Sequence, residues 1–219
     1  MNKLIIFGAG SMAKMAHFYF TRDSDMEVSA FVVDPEYKDS DQFLGLPLMS
    51  IDQIQDKYPA SDYKAFVALS YTDMNRDREK KFHTMKKMGY SLASYISSRC
   101  TYLSDDAPGE NCLILENNMV QPFTTIGHNN FIWCGNIIGH ETRVGDHCFF
   151  AGGDAIAGHS IIQNNCFLGP NVTIKNGVTL RPFTLATAGS VILKNTKEYG
   201  VYYPEKTKIL RKRSIDLKL

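Results

Sequence analysis

The stretch Ile114-Leu115-Glu116-Asn117-Asn118-Met119-Val120-Gln121-Pro122-Phe123-Thr124-Thr125-Ile126 brings a branched apolar residue back every sixth position. The count continues without insertion through Ile132, Ile138, Val144, Phe150, Ile156, Ile162, Leu168, Ile174, Leu180 and Ala186 to Ile192. All but Ala186 are large. A helix repeats near 3.6 residues and a strand near 2, so a period of six extends neither. It suits a chain that turns a corner every six residues and sends one bulky side chain per segment into a triangular prism. That is the hexapeptide pattern of a parallel β-helix, in which each coil buries its neighbour's face.

A second register supports this reading. Two residues before the anchors stand Asn118, Thr124, Asn130, Asn136, Thr142, Cys148, Asp154, Ser160, Cys166, Val172, Val178, Thr184 and Ser190, short side chains suited to a tight corner. Gly127, Gly139, Gly145 and Gly169 follow directly after anchors, where small size or an unusual backbone angle helps a turn. Three hexads make one coil, so the run supplies a little over four coils. A β-sandwich with evenly spaced strands is the competing architecture. Its alternating strands and variable loops match the pattern less well.

The chain has 219 residues with 24 basic and 23 acidic side chains, a net charge of +1. No global field draws it to nucleic acid or membrane; the local exception is the basic tail at Lys206, Lys208, Arg211, Lys212 and Arg213. Five cysteines (Cys100, Cys112, Cys134, Cys148, Cys166) form no C-x-x-C pair and read as reduced thiols rather than a disulfide or metal set. The opening apolar run is too short for a signal peptide, and nothing approaches the ~20 apolar residues of a membrane span. A soluble, cytoplasmic protein is expected.

The pattern changes near residue 100, which predicts two domains, 1–98 and 99–219. Lys3 to Phe7 reads as a buried strand entering Gly8-Ala9-Gly10-Ser11-Met12-Ala13, a G-x-G-x-x-A turn. A helix over 12–22 and a strand over 27–33 ending at Asp34 complete a βαβ unit of Rossmann-like character. Its glycines permit close backbone approach, its helix N-terminus favours a phosphate, and Asp34 can accept from ribose hydroxyls. The plainer reading gives the glycines to packing alone. Another strand over 64–70, a helix over 73–89 and a last strand over 90–96 make a small four-stranded domain. That size suits a mononucleotide or nucleotide-linked group better than a complete dinucleotide.

Histidines stand out on a β-helix. Reduced by whole coils, His140 and His159 share one side of the prism, and His128 and His147 share another. Each pair is either a site or solvated surface. His140 has local support: it points outward two positions after an anchor, Gly158 lies one coil above and leaves an open shelf, and Glu141 is adjacent. A histidine with a carboxylate partner is a suitable general base, an effect typically worth ~10²–10⁴-fold. Cys134 and His140 fall on different faces, which disfavours covalent catalysis.

These features together resemble bacterial sugar acyltransferases of the left-handed β-helix class, the group containing the bacillosamine-pathway N-acetyltransferase, perosamine N-acetyltransferases and sialic acid O-acetyltransferases. The resemblance spans nearly the whole chain and rests on Gly8-Ala9-Gly10, the hexads, Ile138-Gly139-His140-Glu141 and Ala188-Gly189-Ser190-Val191-Ile192-Leu193-Lys194. It implies an N-terminal domain that binds the nucleotide of a nucleotide-linked sugar near Gly8, Gly10, Ser11 and Asp34. It implies His140 as general base supported by Glu141, and a homotrimer with sites in grooves between adjacent β-helices. The co-substrate implied is acetyl-CoA, with its pantetheine arm near Gly152, Gly153, His159, Ala188 and Gly189 and with Lys194 a candidate for its phosphates. No metal is implied.

The chain departs from the group's pattern at three places. Ser11-Met12-Ala13 stands where many members carry a histidine, Trp133-Cys134-Gly135-Asn136 precedes the catalytic segment, and Tyr202-Tyr203-Pro204-Glu205-Lys206 replaces the usual ending. Trp133 is a candidate to stack on a sugar. The function expected is an acetyl-CoA-dependent N-acetyltransferase acting on a nucleotide-linked amino-sugar, a 4-amino-4,6-dideoxyhexose, for bacterial surface glycan (lipopolysaccharide or O-antigen) synthesis. Three other readings remain open: a sialic-acid-type O-acetyltransferase, a non-catalytic trimeric nucleotide-binding scaffold, and a metal site like that of γ-carbonic anhydrases. The last needs three histidines to converge.

Overall fold

The structure is a computed structural model describing residues 2–205 and 215; most of the basic tail, including Lys206, Lys208, Arg211, Lys212 and Arg213, lies outside the described residues. The N-terminal part is an α/β layer with strands β1 (Asn2–Phe7), β2 (Met26–Val33), β3 (Gln42–Phe43), β4 (Leu46–Ser50) and β5 (Tyr63–Val67). The helices are α1 (Ser11–Arg22), α2 (Ile54–Lys57) and α3 (Arg76–Lys87). The strands run in the order β3-β4-β2-β1-β5, parallel except for β3 against β4. Alternation explains the layering: Leu4 and Ile6 pack with Ala13, Ala16 and Phe20 of α1, whereas Ile5 and Phe7 pack with Phe82 and Met85 of α3. Three of the four strands expected lie in this sheet, and two more make it five. The addition is the β3–β4 hairpin, turned through Leu44 and Gly45, both with positive φ.

The expected strand over 90–96 is divided. Leu92 bridges Ala65 of β5, but Tyr95–Ile96 already pairs with Leu113–Ile114 in the coils. From there the chain forms three stacked parallel ladders. The first face holds Tyr95–Ile96, Leu113–Ile114, Phe131–Ile132, Phe149–Phe150, Phe167–Leu168, Leu185–Ala186 and Val201–Tyr202. The second holds Thr101–Tyr102, Met119–Val120, Ile137–Ile138, Ala155–Ile156, Thr173–Ile174 and Val191–Ile192. The third holds Thr125–Ile126, Arg143–Val144, Ile161–Ile162 and Thr179–Leu180. Parallel strands, each paired with its equivalent one coil away around a single core, fit the expected left-handed β-helix. Every anchor from Ile114 to Ile192 is the second residue of its strand and lies in that core. The coils also extend past the hexad run at both ends, where Tyr102 and Pro108 below and Tyr202 above interrupt the aliphatic signal, although Ile96 still keeps the phase.

The corners obey a rule the sequence hid. The residue three before each anchor, from Asn111 through Gly189, has a left-handed φ between 56° and 80°. Asparagine and glycine, which tolerate that region, fill most of these positions. Gly127, Gly139, Gly145 and Gly169 serve a different need, since none has a positive φ. A Cβ on Gly139 would stand 2.5 Å from the nitrogen of Gly158 in the next coil, so glycine there permits close stacking. All five cysteines are free, and Cys112, Cys148 and Cys166 are buried.

The first face docks on the edge of β5, where Phe66 stacks on Phe131 at 5.7 Å. One left-handed column forms the seam. The Asn111 side chain bonds both backbone groups of Val67, Asn129 meets Arg78, and Asn165 donates to Glu79. Arg78 is wholly buried and pairs with no carboxylate among the described residues; its guanidinium donates to Ser70, Asn129 and Cys148 carbonyls and lies 4.3 Å from the Phe131 ring. Burial lowers its pKa to about 9. Among the described residues no helix is long and apolar enough to cross a membrane.

Candidate active site

The turn between the second and third faces carries His140. Its backbone N–H donates to Gln121 Oε1 at 2.9 Å, its carbonyl accepts from the His159 amide at 2.9 Å, and the Glu141 amide donates to Pro122. The ring lies flat over Gly158: a Cβ there would stand 2.7 Å from His140 Nε2. Gly158 therefore makes room for the imidazole itself, which occupies the shelf the sequence left open. Nδ1 is 3.0 Å from Glu141 Oε2. A carboxylate only accepts, so in the neutral ring Nδ1 carries the proton and Nε2 keeps its lone pair. His159 Nε2 reaches the same Glu141 oxygen at 3.2 Å, with the two rings edge to face at 4.9 Å. All three side chains are half exposed.

Lys194 lies in the same column as His140, three coils on, with Gly158 and Asn176 between. Apart from His159, the other expected cofactor residues lie elsewhere. Gly152, Gly153, Ala188 and Gly189 occupy the corner between the first and second faces, and so does Trp133. That tryptophan is half-buried in the cluster shared with α1, 6.3 Å from Phe149, rather than beside His140. Both corners border the second face.

The glycine turn of β1 opens into a cavity of about 710 Å³ lined by Gly8, Gly10, Asp34, Tyr37, Lys80 and Lys81. Its two glycines differ. Gly8 has φ +123° and a Cβ there would meet the Ala68 carbonyl at 2.9 Å, so its need is packing. Gly10 caps α1 without a side-chain bond and faces open space, as a ligand would require. Ser11, the first residue of α1, is exposed. Lys81 pairs with Asp34 Oδ1, leaving Oδ2 to accept from a hydroxyl. Lys80, Lys81 and Gln121 went unnoticed in the sequence, because distant turns of the chain bring them to these sites.

His128 and His147 serve the seam between coil and α/β layer. His128 Nδ1 accepts from the Glu110 amide, and His147, buried beside Asn129, has its pKa lowered by desolvation. Glu79, His83 and His147 converge as metal ligands do. However, Asn129 Oδ1 accepts from Arg78 and Asn111, so its Nδ2 is turned toward His147 Nδ1. That fixes the proton on Nε2, the atom a metal would need, and the cluster is a hydrogen-bonded seam.

No family model matches the sequence, and no curated protein matches it. Solved structures do. PerB from Caulobacter crescentus, solved in complex with CoA and GDP-perosamine, is 22% identical with a TM-score of 0.79, covering 93% of this chain and 95% of that one. The acetyltransferase domain of PglB from Neisseria gonorrhoeae FA1090 is 17% identical with a TM-score of 0.80, over 96% and 100%. WeeI from Acinetobacter baumannii AYE is 19% identical with a TM-score of 0.76, over 92% and 96%. At these identities the likeness is one of fold.

Proposed function

We propose that this chain is an acetyl-CoA-dependent N-acetyltransferase acting on a nucleotide-linked amino-sugar, a 4-amino-4,6-dideoxyhexose, in bacterial surface glycan synthesis. The observation that carries the reading is His140, with Nδ1 committed to Glu141 and Nε2 free. The sugar amine attacks the thioester carbonyl; the N–C bond forms as the C–S bond breaks. His140 Nε2 takes the amine proton and returns it to the departing CoA thiolate. Bound CoA and GDP-perosamine in PerB support the choice of substrates. The nucleotide belongs in the cavity at Gly8, Gly10, Ser11 and Asp34, and the donor along Gly152, Gly153, Ala188 and Gly189, with Lys194 toward its phosphates.

A homotrimer belongs to the same proposal. The His140 corner lies across the prism from the first face, which carries the α/β layer, and this supports a sugar held by that layer meeting His140 of a neighbouring copy. The second face presents Met119, Ile137 and Val191, all exposed apolar residues that a neighbouring copy would cover. The domain division 1–98 and 99–219 and the cytoplasmic assignment belong to the same proposal.

The test is release of CoA thiol from acetyl-CoA with UDP-, dTDP- and GDP-linked amino-sugars, beside His140→Ala. At least one amino-sugar should turn over, and the variant should lose ~10²-fold or more while keeping its fold. Unchanged turnover in the variant refutes the general base. Release with sialic acid alone would replace the N-acetyl reading by the O-acetyl one.

A further inference from the structure

We infer that His159 is a positioning residue for the transfer: it pins Glu141 so that the His140 ring is held in one tautomer and one orientation. This rests on His140 being the base. The sequence resemblance assigns His159 to the cofactor, but its Nε2 lies 3.2 Å from Glu141 Oε2, the oxygen that also holds His140 Nδ1.

Glu141 needs such a pin. It is half exposed, and among the described residues its only other bond is that of its backbone amide to Pro122. A carboxylate on three rotatable bonds, paired once at the surface, gives up most of what the pair gains in ordering its side chain. A second partner on the same oxygen changes the balance, because the side chain is ordered once for a hydrogen bond to His140 and a close polar contact to His159. The backbone provides the alignment. Glu141 and His159 both sit at left-handed corner positions with φ 57°, one full coil apart, so their side chains leave adjacent coils side by side. The edge-to-face rings, 85° apart, resist rotation of either imidazole. A flipped His140 ring would forfeit the Glu141 bond and turn Nε2 away from Gly158. The free His159 Nδ1 has no part in the proposed proton transfer, so its effect passes through Glu141.

The experiment compares His159→Ala, His159→Gln, Glu141→Ala and the double variant His159→Ala/Glu141→Ala by steady-state kinetics, and reads the His140 tautomer from ring-nitrogen NMR shifts. His159→Ala should lower kcat about three- to fivefold, the scale of one half-exposed ion-pair contact, with KM for both substrates within about twofold. Gln keeps a donor near the Nε2 position and should restore most of the rate. In the Glu141→Ala background, removing His159 should change kcat less than about twofold. The wild type should show a proton on His140 Nδ1, and His159→Ala a mixture of tautomers. A raised KM for acetyl-CoA at unchanged kcat would overturn the inference in favour of a cofactor contact. So would an independent loss in the double variant, or an unaltered tautomer. The NMR readout needs no turnover, so it judges His159 even if the amino-sugars prove not to be substrates; that failure would refute only the proposed function.

Discussion

Asp154→Asn tests the chemistry of the corner columns. Asn118, Asn136 and Asp154 stand one coil apart, each accepting the amide of the residue above: Asn136 to Asn118, Asp154 to Asn136, Val172 to Asp154. The two asparagines also donate, through Nδ2, to the carbonyl three residues back, Leu115 and Trp133. Asp154 Oδ2 occupies that donor's place, buried and without a partner among the described residues. Burial pushes the carboxyl up to about 7 from an ordinary 3.8. Protonated, Oδ2 can donate to the Ala151 carbonyl as the asparagines do. Between pH 4 and 7 the folded chain therefore holds a proton that the unfolded chain has lost. Stability falls as pH rises through that window and levels off above 7, a total of ~4 kcal/mol. Asparagine supplies the donor without titrating. Between pH 5.5 and 8.5 the wild type should lose ~2 kcal/mol that Asp154→Asn keeps, a difference in Tm of about 4–8 °C. Melts in matched buffers across that range check it. Parallel pH curves for the two proteins would refute the neutral-acid assignment, as would a variant markedly less stable at pH 5.5.

Two further sets of substitutions separate room for chemistry from room for packing. Gly158→Ala brings a methyl group against His140 Nε2 and should displace the ring, cutting kcat at least about tenfold with Tm little changed; full activity would show that the ring does not need that seat. Gly8→Ala should destabilise the fold by about 1–3 kcal/mol through its positive φ and the Ala68 carbonyl. Gly10→Ala should melt normally yet weaken calorimetric binding of nucleotide diphosphates, and equal effects at the two positions would contradict their separate roles.

The core was legible because each anchor repeats the same demand in the next coil, and fourteen repetitions outweigh local noise. The His140 corner was legible for the same reason: counting by whole coils stacks Gly158 over it. Other features need a partner far along the chain. Asp154 looks like one more short polar corner residue until Asn118 and Asn136 reveal what its outer oxygen must do. Arg78 and Glu79 read as ordinary helix surface, because their partners are Asn129 and Asn165 on the coils. Trp133 drew attention as the lone tryptophan, but its indole went to the cluster under α1, an assignment made by tertiary packing.

The column that joins His140 to Lys194 has a metric consequence. Its members differ by whole coils, and parallel strands stack about 4.8 Å apart. The gap between base and lysine thus comes only in increments: a side-chain substitution leaves it fixed, and loss or gain of three hexads moves it one graduation. The solenoid is a ruler, and a shift in the length of donor it accepts would have to be made by the coil.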